Sequence, residues 1–199
     1  MLASRCAARS DFPLGPLAPV ADAHVRFARE VDGPAHPEPG RTDRYLLALA
    51  HALALPGLDR DALIDLQSTV LGRPALLRTG DAFARAGAHR YPSRPDLGAQ
   101  LDAALTGLHD PAVHPAVRAT MAYLDVIFLH PFDDGNARLA RLLMHHTLHR
   151  AGLHPPRFEG VLLVQKNPGD EEGFWRLVRV VGGSSAAVAR SRAHGLLPR

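Results

Sequence analysis

The sequence predicts a mainly helical domain with one small β-hairpin, and three observations carry that expectation. Leu- and Ala-rich stretches place apolar residues three or four apart, the spacing of one helical face. Proline and glycine fall between those stretches, as they should, since a proline inside a helix clashes with the preceding turn. One segment, 73–92, leaves the helical period and alternates at period two.

In chain order, residues 1–40 are proline-rich, with a short helix expected over Val20–Val31 between Pro19 and Gly33-Pro34. This arm either packs on the domain or stays partly disordered; the domain itself is expected over 41–182, with a tail over 183–199. Arg44–Leu55 is strongly helical and stops before Pro56-Gly57. Asp59 is placed to N-cap a helix over 60–71, which Gly72 and Pro74 close. In 73–92, Ala82, Ala84, Ala86 and Ala88 alternate with Asp81, Phe83 and Arg85, a weak pattern of two short strands around Ala86-Gly87. Pro95–Leu108 should be helical, with Leu97, Leu101 and Leu105 on one face. Over 116–129, Val117, Met121, Leu124 and Phe128 form one stripe, and Pro131 ends that helix near His130. Arg138–Arg150 is helical again, with Gly152 as its C-terminal cap. The apolar run Val161–Val164 fits either element type, and Gly173–Val181 opens a last helix.

Composition narrows the function classes. The apolar fraction of 46% is ordinary for a globule, and 199 residues suit one domain. A net charge of +3, aromatics at 6% and no basic run argue against nucleic-acid binding. Cys6 is the lone cysteine, so no internal disulfide forms. No stretch reaches the ~18 apolar residues of a membrane span, and the first residues lack a signal-peptide core. The expected location is cytoplasmic.

The chemistry concentrates in His130-Pro-Phe-Asp-Asp-Gly-Asn-Ala-Arg-Leu-Ala-Arg141, the loop between the two central helices. It feeds into a helix start, where unpaired N–H groups and about half a positive charge suit an anion. Arg138 and Arg141, three apart, share one face of the opening turns. A base, a metal-binding acid, an anion cradle and two arginines thus lie within one short stretch.

This stretch resembles the signature of the Fic family, His-x-Phe-x-(Asp/Glu)-Gly-Asn-(Gly/Ala/Lys)-Arg-x-x-Arg, most of whose members transfer AMP from ATP to a protein hydroxyl. His130, Phe132, Asp134, Gly135, Asn136, Arg138 and Arg141 match its fixed positions, and the looser likeness covers roughly 44–182. The resemblance implies a Fic-type helical bundle with a β-hairpin flap. It implies His130 as general base, Asp134 as the Mg²⁺ ligand, and Gly135, Asn136 and Ala137 as a backbone phosphate cradle. Arg138 and Arg141 would neutralise phosphate, and Phe132 would be structural. An imidazole at its ordinary pKa near 6.5 suits the base role. The flap, at Asp81, Ala82, Phe83, Ala84 and Arg85, would pair with a target strand and aim its hydroxyl at His130. Phe174 or Trp175 would lie near the adenine or in the core.

Ala137 replaces the commoner glycine; inside a helix alanine is favourable, so the cradle should be narrowed and not abolished. A toxin branch with lysine there, and alanine at the first glycine, transfers phosphate; Gly135 argues for AMP. The expected activity is therefore Mg-ATP-dependent adenylyl transfer to a Ser, Thr or Tyr hydroxyl. Transfer of UMP or phosphate, a small-molecule acceptor, and an inactive binding module are the alternatives.

Many family members silence themselves with Ser/Thr-x-x-x-Glu-Gly/Asn, whose glutamate pairs with the second motif arginine. The only Glu-Gly pairs, Glu159-Gly160 and Glu172-Gly173, have Pro155 and Pro168 four residues earlier, so no such brake is visible. Either a small antitoxin supplies the glutamate in trans or no brake exists. His145 and His149 have zinc-ligand spacing without the protease glutamate, and His109-Asp110 is followed by Pro111; packing roles are expected for both sets.

Overall fold

The computed structural model describes residues 26–193 except 36, 85 and 157, with the backbone alone for 184–193. Arg85, Cys6 and residues 20–25 of the expected first helix lie outside the described residues. A π-helical turn, Ala28–Asp32, and one α-turn, Gly33–Ala35, precede α1 (Arg41–Ala54) and α2 (Arg60–Leu71). Strands β1 (Ala82–Ala84) and β2 (His89–Tyr91) form the hairpin. Then come α3 (Leu97–Gly107), α4 (Pro115–Leu129), α5 (Asn136–Arg150), α6 (Phe158–Leu163) and α7 (Glu171–Ala193).

Local chemistry sets most of these boundaries. Asp59 accepts a hydrogen bond from the Ala62 N–H at 2.8 Å and starts α2, and Gly72, at φ 69°, ends it. Pro115 opens α4, while His114 Nδ1 accepts from the Ala116 N–H at 3.2 Å. The strands are antiparallel, Ala82 opposite Tyr91 and Ala84 opposite His89, and the intervening turn uses positive φ at Ala86 and Gly87. The undecided run after 155 resolves as the short helix α6, which buries Phe158 and Val161.

The core surrounds α4 and α5, the most closely packed helix pair. In α5, Asn136 and every residue from Arg138 to Leu148 are buried. α1 and α2 cover one side of α5; α3 and α7 pack on α4. Phe174 and Trp175 rest against this core, 5.2 Å apart in an edge-to-face pair. No helix among the described residues is long and apolar enough to cross a membrane.

Candidate active site

The loop from His130 to Gly135 turns between α4 and α5, and its shape follows from two left-handed residues. His130 caps α4 at φ 48°, ψ 60°; Gly135 precedes α5 at φ 77°, ψ 0°. A Cβ on Gly135 would also fall 2.5 Å from Gln67 Nε2, so glycine is required there twice over. Between them Phe132 is fully buried. The Asn136 side chain clasps that residue, accepting from the Phe132 N–H at 3.0 Å and donating to its carbonyl at 2.8 Å. Gln67, on α2, donates to the Asp134 carbonyl at 2.5 Å, and Arg138 donates to the Val70 carbonyl at 3.0 Å. The loop is thus fixed at both ends and along its middle.

No side chain caps α5. The Gly135 N–H donates to its neighbour Asp134 Oδ1 at 2.6 Å, but those of Asn136 and Ala137 have no acceptor among the described residues. Both residues line a cleft of about 630 Å³, within the ~300–1,000 Å³ usual for small-molecule sites. His130, Asp134, Gly135, Asn136, Ala137, Arg138 and Arg141 all line it, together with Phe83 and Ala84 of the hairpin. Ala137 lies inside the helix and is not a positive-φ residue. Asp133, at the signature's variable position, pairs with Arg73 at 2.9 Å.

His130 departs from its ordinary titration. Burial pushes its pKa down to about 4, with the Arg78 and His89 charges adding to the shift. The Ile127 carbonyl and Asp134 pull the other way, although Nδ1 lacks a partner in hydrogen-bond geometry. One ring face is covered by Tyr91 of β2, stacked at 3.9 Å between centroids and 11° between planes. Arg78 ties the hairpin to this place. Its guanidinium donates to the carbonyls of His130 (2.7 Å), Leu129 (3.1 Å), Gly80 (2.6 Å) and Pro92 (3.0 Å). Asp81 braces the hairpin internally, accepting from Arg90 and from the Ser93 N–H, both at 2.7 Å. Those two bonds hold its carboxyl below the usual range. Ala82 is buried and Phe83 is 56% exposed at the cleft.

The arginines are deep. Arg138 is 2% exposed and burial lowers its pKa, with the nearby Arg41 charge adding to the effect. Arg141 donates from Nη2 to Asp32 Oδ1 at 2.9 Å and stacks over Phe27 at 4.9 Å and Tyr45 at 5.5 Å. Asp32-Gly33 departs from the Glu-Gly pattern in two ways, aspartate in place of glutamate and Ala28 in place of the hydroxyl residue four positions earlier, and only a looser acidic-Gly pattern includes it. Phe27 is a second cleft residue that the sequence did not single out, whereas Phe174 and Trp175 do not line the cleft.

His145 and His146 are buried, His146 Nδ1 lying 2.8 Å from the Ala52 carbonyl, and His109 Nε2 lies 3.3 Å from that of Leu58. No group of three or more His, Cys, Asp or Glu suited to a metal occurs among the described residues.

A helical bundle whose central turn carries an open helix start, and whose hairpin leans on that turn, defines a Fic-type domain. Solved structures share the fold. The Fic-1 fragment from C. elegans aligns at TM-score 0.57 and 21% identity, over 89% of this chain and 58% of that one. An IbpAFic2 variant in complex with adenylylated Cdc42 aligns at 0.61 and 16%, over 85% and 66%. The Fic/DOC family model matches residues 57–148. "Protein adenylyltransferase Fic" of Nematostella vectensis is 35% identical over 131 residues, 59% of this chain and 31% of that protein. Its Drosophila ananassae namesake is 35% identical over 101 residues, 47% and 20%. By fold, family model and relatives alike, the chain is similar to the Fic family. It spans less than a third of the length of these curated relatives.

Proposed function

We propose that the chain is an Mg-ATP-dependent adenylyltransferase acting on a hydroxyl side chain of a protein. The observation that carries this reading is the cleft itself, where a neutral imidazole, two free N–H groups and two buried arginines converge. In the proposed reaction His130 accepts the proton of the attacking hydroxyl. That oxygen bonds to the α-phosphorus as the bond to the bridging oxygen breaks, and pyrophosphate departs on the side of Arg138 and Arg141. The Asn136 and Ala137 N–H groups receive phosphate oxygens at the helix start.

Asp134 fits a magnesium site: its carboxylate is 64% exposed in the cleft, and Mg²⁺ is ordinarily held by one or two carboxylates plus phosphate and water. Bound there, the ion would neutralise phosphate charge. The hairpin borders the same cleft, with Phe83 exposed, and supports a role in presenting a target strand. The names of the relatives, and adenylylated Cdc42 in the structural neighbour, support a protein acceptor. Asp32 on Arg141 further supports restraint in cis.

Incubation with labelled ATP, UTP or CTP and candidate proteins, read by intact mass, tests the reading. A gain of about 329 Da marks AMP and about 80 Da phosphate. Label that survives His130→Ala would remove the proposed base. Nucleotide binding with no transfer to any acceptor would favour a binding module.

A further inference from the structure

Arg41, the first residue of α1, lines the cleft beside Arg138 and Arg141 although it lies far from the signature loop. Its side chain is only 14% exposed, yet it makes no hydrogen bond among the described residues. Its Nε is buried without a partner, 3.6 Å from Asp32 Oδ2, and its Nη1 stands 3.6 Å from Glu38 Oε2. Both ion pairs are too long for hydrogen bonds. A guanidinium carries five donors, and burying one of them, the Arg41 Nε–H, without an acceptor is costly unless one arrives. The Nε atoms of Arg138 and Arg141 are likewise buried and unpartnered.

Asp32 shows what shape of acceptor fits. One of its carboxylate oxygens takes the Arg141 bond at 2.9 Å, and the other faces Arg41. A single carboxylate thus lies between two guanidinium groups, neither of which it saturates. A phosphate group, with more oxygens and more charge, would satisfy both better.

We infer that Arg41 is a third phosphate-gripping arginine of the cleft, directed at the terminal phosphates of the nucleotide, with the Asp32 carboxylate beside it. The inference rests on the nucleotide reading above. The competing role, a tether that merely holds Asp32 in place, predicts the opposite sign: removing Arg41 would loosen Asp32 and strengthen nucleotide binding.

Calorimetric titration of Mg-ATP and of AMP separates the two, using the whole chain with Asp32→Ala as the reference, so that the tether no longer matters. Adding Arg41→Ala should weaken Mg-ATP binding by about tenfold or more, the scale of one charge-assisted contact. AMP, which lacks the terminal phosphates, should bind within about twofold of the reference, and Arg41→Lys should restore part of the loss. Arg41→Gln keeps the side-chain length and takes the place of the alanine variant if that one melts at assay temperature. Equal Mg-ATP affinity with and without Arg41 overturns the inference, as does an equal loss for Mg-ATP and AMP. Weakening confined to Arg141→Ala overturns it while leaving the nucleotide reading intact. Failure of Asp32→Ala to bind Mg-ATP at all would remove both.

Discussion

His130 holds a backbone angle that few side chains accept, and its ring is pressed beneath Tyr91; the two features set its chemistry together. Burial disfavours the imidazolium, so the residue stays neutral and proton-accepting down to about pH 4. Nothing in the local sequence foretells this, because Tyr91 lies in another element and reaches His130 only through the fold. Tyr91→Ala should re-expose the ring and raise the His130 pKa towards the ordinary 6.5, read by NMR titration of the imidazole. An unchanged value would show that the depression arises elsewhere. The sign carries over to stability. The unfolded chain takes up this proton near pH 6.5 and the folded chain only near pH 4, so stability present above that window is lost as pH falls through it. Gly135 is the second constrained residue. Gly135→Ala adds a methyl at φ 77° against Gln67 and should cost about 1–3 kcal/mol in denaturant unfolding. A loss below about 0.5 kcal/mol would mean that Gln67 gives way freely.

At the scale of elements, the helices were legible because their signals are local: the Asp59 cap, Gly72, Pro115 and the stripe from Val117 to Phe128 act over a turn or two. The signature was legible for a similar reason, since His130, Gly135 and the arginines all belong to one turn and the helix it opens. Their supports were not. Gln67, Val70 and Arg78 reach the loop across more than fifty residues of chain, and no periodicity encodes such partners. Arg78 is the clearest case, one side chain bonded both to the end of α4 and to the base of the hairpin. Arg78→Ala removes all four of those bonds, and a donor to several carbonyls is worth roughly 1–3 kcal/mol locally. Amide exchange across 82–91 should quicken about tenfold or more while the centre of α5 keeps its protection. Equal exchange in both proteins would show that the hairpin is held by other contacts.

At the scale of the molecule, the segment before α1 joins the cleft to the core. Phe27 is buried against Phe158, with rings 5.6 Å apart, and Asp32 reaches Arg141 across 109 positions of sequence. The same carboxylate both fastens this segment and occupies an arginine assigned to phosphate. One substitution should therefore have effects of opposite sign. Without nucleotide, Asp32→Ala gives up a charge-assisted bond and leaves the buried Arg141 guanidinium without that acceptor, so the melting temperature should fall, by an amount matching roughly 1–3 kcal/mol. With saturating Mg-ATP, the gain from a ligand that binds only the folded state grows as its Kd tightens. The rise in melting temperature on adding Mg-ATP should then exceed that of the wild type, and target modification should quicken. Thermal melts of both proteins with and without Mg-ATP decide the matter. A variant that melts lower and gains no more from Mg-ATP than the wild type would reduce Asp32 to a structural anchor, and the cleft would have no brake of its own.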